Sequence, residues 1–86
     1  MAIVRLREPL KGRAGGRFEH VIDGGTTGDV VRGLVGAHLA LQTDILDERG
    51  ILRRYLRVFV NGDPANLDTP VRETDVVYIL SDIAGG

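Results

Sequence analysis

Few side chains in this sequence carry chemistry of their own. With no cysteine there are no disulfides, thiolate metal sites or thiolate nucleophiles. His20 and His38 pattern with apolar neighbours, where an imidazole is ordinarily a satisfied structural group and not a base or ligand. The carboxylates are scattered through turn-like stretches instead of being set in pairs, so no acid–base couple is available for an active site. Gly15-Gly16, Gly24-Gly25 and Gly28 match neither of the glycine patterns that cradle phosphates, and read as turn glycines. What remains is the carboxylate of Gly86 in Ile83-Ala84-Gly85-Gly86. A terminal carboxyl, with an ordinary pKa of about 3.5, is ionised at neutral pH. Without a Cβ, Gly85 and Gly86 form a strip of backbone thin enough to enter a channel. A bare Gly-Gly ending also describes a frayed terminus. The small apolar pair Ile83-Ala84 and the nearness of a strand favour a placed tail.

Positioning such a tail falls to one domain, since 86 residues leave room for a single core. The expected division is a folded unit over 1–80 and a flexible tail over 81–86. From Ala2 to Arg7 apolar and charged residues alternate, with Val4 and Leu6 on one face and Arg5 and Arg7 on the other, until Glu8-Pro9 ends the strand. A turn-rich stretch from Lys11 to Gly16 leads into a second alternation over Arg17 to Asp23, with Phe18, His20 and Ile22 on one face, giving a hairpin. Thr26 or Thr27 then caps a helix, with Asp29 in its first turn and Val31, Leu34, Val35, His38 and Leu39 at helical spacing. Gly33 and Gly36 fall inside that helix at a cost of about 1 kcal/mol each relative to alanine. Gln42 to Gly50 reads as a polar connection. Tyr55 to Val60 is a third strand entering a turn at Asn61-Gly62-Asp63-Pro64. Asn66 to Thr74 is expected to hold a short strand or one turn of helix. Val76 to Leu80, β-branched and aromatic, reads as a central strand apolar on both faces. One helix across a mixed sheet is an α+β two-layer sandwich, and a β-grasp satisfies the order.

Parity supplies a docking surface beside the tail. Leu56, Val58 and Val60 point into the core and leave Arg57 and Phe59 outside; if Val77 and Ile79 face the helix, Tyr78 and Leu80 face outward. These four side chains, joined by Ile83 and Ala84, are the expected partner-binding residues. Eleven basic against twelve acidic residues lack the excess that nucleic acid demands. The longest apolar run is far too short for a membrane span, and the start has no leader-like pattern, so an intracellular, cytoplasmic protein is expected.

Ile83-Ala84-Gly85-Gly86 resembles the Val-Ala-Gly-Gly ending of the ubiquitin-like sulfur carriers and of the small subunit of molybdopterin synthase. Further resemblance lies in Leu6-Arg7-Glu8-Pro9 followed by Gly15-Gly16, in Thr26 before the helix, and in Leu52 to Asn61 leading into Asp75 to Leu80. Asp47 to Gly50, with Phe59-Val60-Asn61, is most similar to the cysteine-biosynthesis type. Ser81-Asp82 departs from the family where relatives often carry proline. The resemblance implies a carrier protein and not an enzyme, with no bound cofactor or metal. A ubiquitin-activating-like adenylyltransferase would use ATP to adenylate Gly86, and a persulfide donor would convert it to a thiocarboxylate that feeds a sulfur-accepting biosynthetic enzyme. Gly86 would bear the reacting group and Gly85 would give clearance. Three alternatives stay open: a small molybdopterin synthase subunit, a modifier passing the carboxyl to lysines, and a binding module without tail chemistry. Lys11, the only lysine, excludes self-conjugation through many linkages. A monomer is expected in the free state.

Overall fold

Thr26 starts the main helix as its sequence dictates: its hydroxyl accepts the Asp29 amide at 3.1 Å, satisfying one of the donors a helix start leaves open. Helix α2 follows over Thr27–Ala37 and turns Val30, Val31, Leu34 and Val35 onto a sheet, all of them buried. The computed structural model describes residues 1–8 and 10–81; Pro9 and the expected tail residues Asp82, Ile83, Ala84, Gly85 and Gly86 lie outside the described residues. The strands are β1 Ala2–Leu6, β2 Glu19–Ile22, β3 Leu56–Val60, β4 Asp63–Ala65 and β5 Val76–Ser81. Among the described residues they make one mixed sheet in the order β2-β1-β5-β3-β4. Central β5 is parallel to β1 and antiparallel to β3, with β2 and β4 as antiparallel edges. This is the expected β-grasp.

Val4, Leu6, Val77, Ile79, Leu56 and Val58 meet the helix in a core with almost no exposure. Strand β5 extends through Ser81, one residue past the expected unit boundary at 80. Asn61 and Gly62 take positive φ angles of 52° and 89°, the backbone a two-residue hairpin between β3 and β4 requires. Asn61 also ties that turn to β5: its Oδ1 accepts the Val76 amide at 2.9 Å, and its Nδ2 donates to Asp75 Oδ1 at 2.8 Å.

Several expectations need correction. Residues 10–13 form a short helix, α1 Leu10–Arg13, where only turns were expected; Leu10 and Ala14, four apart, are its buried contacts. The stretch expected to be a polar connection contains α3 Gln42–Ile45, because Leu41 and Ile45 repeat the same spacing and are fully buried. Leu39 leaves the apolar face of α2 and stands 71% exposed, since that helix ends at Ala37 and the chain turns into a 3-10 segment over Leu39–Leu41. Gly28 is a buried helical residue and not a turn glycine. Over 66–74 there is neither strand nor helix: the Asn66 side chain accepts the Asp68 amide at 2.8 Å, and a local turn of this kind competes with regular structure.

Candidate functional site

Strand registers lay one row of side chains across the outer face of all five strands. Glu19 pairs with Arg5, Arg5 with Tyr78, Tyr78 with Phe59, and Phe59 with Pro64. A second pair, Arg57 and Leu80, lies one step towards the C-terminal end of β5. Arg57, Phe59, Tyr78 and Leu80 therefore come together on one face. Arg57 is exposed and the other three are half-buried. Gly85 and Gly86, expected to react and to give clearance, and Ile83 and Ala84, expected to anchor, lie outside the described residues. Ser81 pairs with Leu56, so the last described residue of the chain lies beside this patch.

Arg5 organises the row. Its Nε donates to Glu19 Oε2 at 2.7 Å and its Nη1 to the Tyr78 hydroxyl at 2.6 Å, while the guanidinium carbon lies 5.6 Å from the Tyr78 ring centroid and 5.8 Å from that of Phe18. The Tyr78 hydroxyl first, then Glu19, raise its pKa above the ordinary arginine value. The sequence put Arg5 on the outer face but gave no reason to join it to Tyr78, because a parallel pairing between the two ends of the chain has no local signature. Phe18 was expected on one face of the strand with His20 and Ile22. It precedes β2, which begins at Glu19, and is 42% exposed under the Arg5 guanidinium. The period-2 pattern was carried beyond the strand that justifies it.

Beside this face runs an open groove of about 690 Å³, walled by Arg57 and Phe59 from β3, Ile51, Leu52, Pro64 and Leu67. His20 and His38 occupy the opposite, helix-facing side. Only 6% exposed, His20 donates from Nε2 to the Arg17 carbonyl at 3.1 Å and meets the His38 ring edge-on, with centroids 4.9 Å apart. Burial first, with the charges of His38 and Arg17 behind it, pushes the His20 pKa below its ordinary value. Neither imidazole reaches the outer face. Among the described residues no three metal-ligating side chains converge, and no helix is long and apolar enough to cross a membrane.

No protein-family model matches the chain. Small archaeal modifier protein 1 of Haloferax volcanii is 35% identical over 75 residues, spanning 85% of this chain and 86% of that protein. The crystal structure of SAMP1 from the same organism superposes with a TM-score of 0.84 at 31% identity, covering 99% of this chain and 98% of the other. In the BexX/CysO complex of Amycolatopsis orientalis, a chain 23% identical matches with a TM-score of 0.88 over 100% of both chains, a likeness of fold. Sharing its sequence across most of its length with a small archaeal modifier protein, and its β-grasp with that protein's crystal structure, this chain belongs to the family of ubiquitin-like small modifiers and sulfur carriers.

Proposed function

We propose that this protein is a sulfur carrier whose Gly86 carboxylate is adenylated by a ubiquitin-activating-like enzyme. The observation that carries this reading is the Gly85-Gly86 sequence following, within five residues, a central strand that ends beside an apolar patch. The ionised carboxylate attacks the α-phosphate of ATP on the partner and pyrophosphate leaves. The terminal sulfur of a persulfide donor then attacks the carbonyl carbon and AMP leaves. Cleavage of the sulfur–sulfur bond by a thiol releases the thiocarboxylate, which a biosynthetic enzyme consumes as its sulfur source. Arg57, Phe59, Tyr78 and Leu80 dock the activating enzyme, Ile83 and Ala84 seat the tail, and Gly85 clears the channel. Cysteine formation is the favoured sink, on the resemblance of Leu52 to Asn61 to that type of carrier. We place the protein in the cytoplasm as a monomer.

A second reading is favoured by the name of the relative with 35% identity, a modifier: the activated carboxyl passes to amines of other proteins. One measurement separates the two. The chain is incubated with ATP, sulfide and the activating enzyme of the same organism, beside a Gly86-deleted control, and intact mass is recorded. Exchange of one oxygen for sulfur, absent from the control, is the expected result. Adducts on other proteins without that exchange would favour the modifier. Absence of both adenylate and thiocarboxylate would return the chain to a binding module.

A further inference from the structure

Arg49, Arg53, Arg54 and Arg57 place four positive charges within nine residues, while all twelve acidic residues of the chain lie outside that stretch. The loop that carries the first of them is held tightly. Asp47 Oδ1 accepts the amides of Arg49 at 2.8 Å and Ile51 at 3.0 Å, the Asp47 amide donates to the Ile51 carbonyl at 2.8 Å, and Leu46 bridges Leu52. Those amides, Ile51 before Arg49, hold the Asp47 carboxyl below its ordinary pKa. Arg53 is fixed by its Nε donating to the Thr43 carbonyl at 2.9 Å.

This ordered loop presents Ile51 at 50% exposure among arginines. Arg49, Ile51, Leu52, Arg53, Arg54 and Tyr55 line a concavity of about 470 Å³ together with Asp47, whose Oδ1 is turned to the loop's own amides. Ile51 and Leu52 are also walls of the groove bordered by Arg57 and Phe59, so the two hollows form one surface. Because Leu56 pairs with Ser81 and Arg57 with Leu80, Arg57 stands beside the last described residues of β5.

We propose that this arginine-rimmed surface docks an extended acidic segment of the protein that receives the tail, one in which carboxylates flank one or two apolar side chains. Charge complementarity selects the carboxylates, and half-exposed Ile51 with Leu52 selects the apolar residues. Arg57 pairs with Leu80, so a protein that takes up the residues beyond Ser81 also lies within reach of this surface. A nucleic acid fits less well, since a chain of net charge −1 lacks the basic excess that a run of phosphates demands, whereas a short peptide needs only the local arginines. The site rests on the carrier reading only for the identity of its partner.

The test uses the full isotope-labelled chain and nuclear magnetic resonance titration with a synthetic peptide alternating Asp or Glu with Ile or Leu. A basic peptide of the same pattern, an oligothymidylate and inorganic phosphate are run beside it. Shifts confined to 47–57 and the groove, weakened about tenfold in Arg49→Glu/Arg54→Glu and by raising salt from about 0.05 M to about 0.5 M, support the proposal. Arg49→Gln/Arg54→Gln, which removes charge without reversing it, gives a second reading should the reversal fail to fold. Unchanged affinity in both variants overturns the proposal, as do scattered shifts or tighter binding of the oligothymidylate or phosphate. Failure of the wild-type chain to accept sulfur would count against the carrier reading, and leaves the peptide result standing on its own.

Discussion

Two glycines of α2, three residues apart, should respond differently to alanine. At Gly36 an added Cβ meets nothing within 4 Å, so the substitution brings only the better helix propensity of alanine. Near the helix end that gain is about 0.5 kcal/mol, at the low end of the glycine-to-alanine difference. At Gly33 the same Cβ would lie 2.7 Å from Cγ2 of Ile22 in β2, inside any real contact distance. Cγ2 branches from the Ile22 Cβ and cannot swing away as a long side-chain end would, so helix and strand must separate or Ile22 must leave its rotamer. Overpacking of this kind costs about 1–3 kcal/mol, against a propensity gain of about 1 kcal/mol. Gly33→Ala is therefore expected to be neutral or to destabilise by up to about 2 kcal/mol. Thermal unfolding reads the contrast, since 1 kcal/mol moves the midpoint by about 4–8 °C in a domain of this size. Gly36→Ala should raise the midpoint by a few degrees, and Gly33→Ala should leave it unchanged or lower it. Removing the obstacle with Ile22→Ala should turn Gly33→Ala into a stabilising change, with a coupling of at least about 1 kcal/mol between the two sites. Equal stabilisation by both alanines in the wild-type background would refute the close approach.

Lowered by burial, the His20 pKa makes the unfolded chain bind more protons than the folded one between that value and 6.5. Stability is then fully present above 6.5 and lost as pH falls below it; urea titrations across this window should show the slope, and His20→Gln should remove it. Phe59→Ala should weaken capture by the proposed activating enzyme at least about tenfold under conditions where the variant is fully folded, measured by titration calorimetry; unaltered affinity would remove Phe59 from the proposed docking face. Tyr78→Phe deletes the hydroxyl that receives Arg5, and should lower the midpoint less than Tyr78→Ala while freeing the Arg5 side chain on nitrogen-detected spectra. Asn61→Gly keeps a residue at ease with positive φ but loses the bonds to Val76 and Asp75, and Asn61→Ala loses both; both should destabilise, alanine more, in urea unfolding.

Wherever the fold depends on a local period or a turn with one chemical solution, the chain announced it. Thr26 with Asp29 opens α2, Asn61-Gly62 makes the hairpin, and the run from Val76 is the central strand. Short helices escaped notice because each rests on a single pair of apolar residues, Leu10 with Ala14 and Leu41 with Ile45, set among polar neighbours. Two such residues cannot outweigh the turn signals around them until the rest of the core exists. At the candidate site the outward pointing of Arg57, Phe59, Tyr78 and Leu80 follows from parity within each strand. Arg5 was not connected to them because the pairing of β1 with β5 joins residues some seventy positions apart, and only the sheet order brings those strands together.

That pairing bears on how a small protein can offer a working end without loosening its core. The proposed reacting residue hangs from β5, which is hydrogen-bonded to β1 over Val76 to Ile79 and to β3 over Val77 to Ser81. Each neighbour of β5 is braced in turn by an edge strand, and its inward side chains Val77 and Ile79 are fully buried beneath α2. A partner that drew the tail into a channel, as proposed, would pull on the central strand, hydrogen-bonded on both sides, where local opening costs nearly as much as global unfolding. From Leu80 onward the β1 partner ends and only β3 continues alongside, so restraint falls off in the last two residues of the strand. These last two residues pair with Arg57 and Leu56, beside the hollow walled by Leu52 and Phe59. In the proposed reading, a partner docked at that point would grip the end of β5 while the Gly86 carboxylate is carried to the reacting centre.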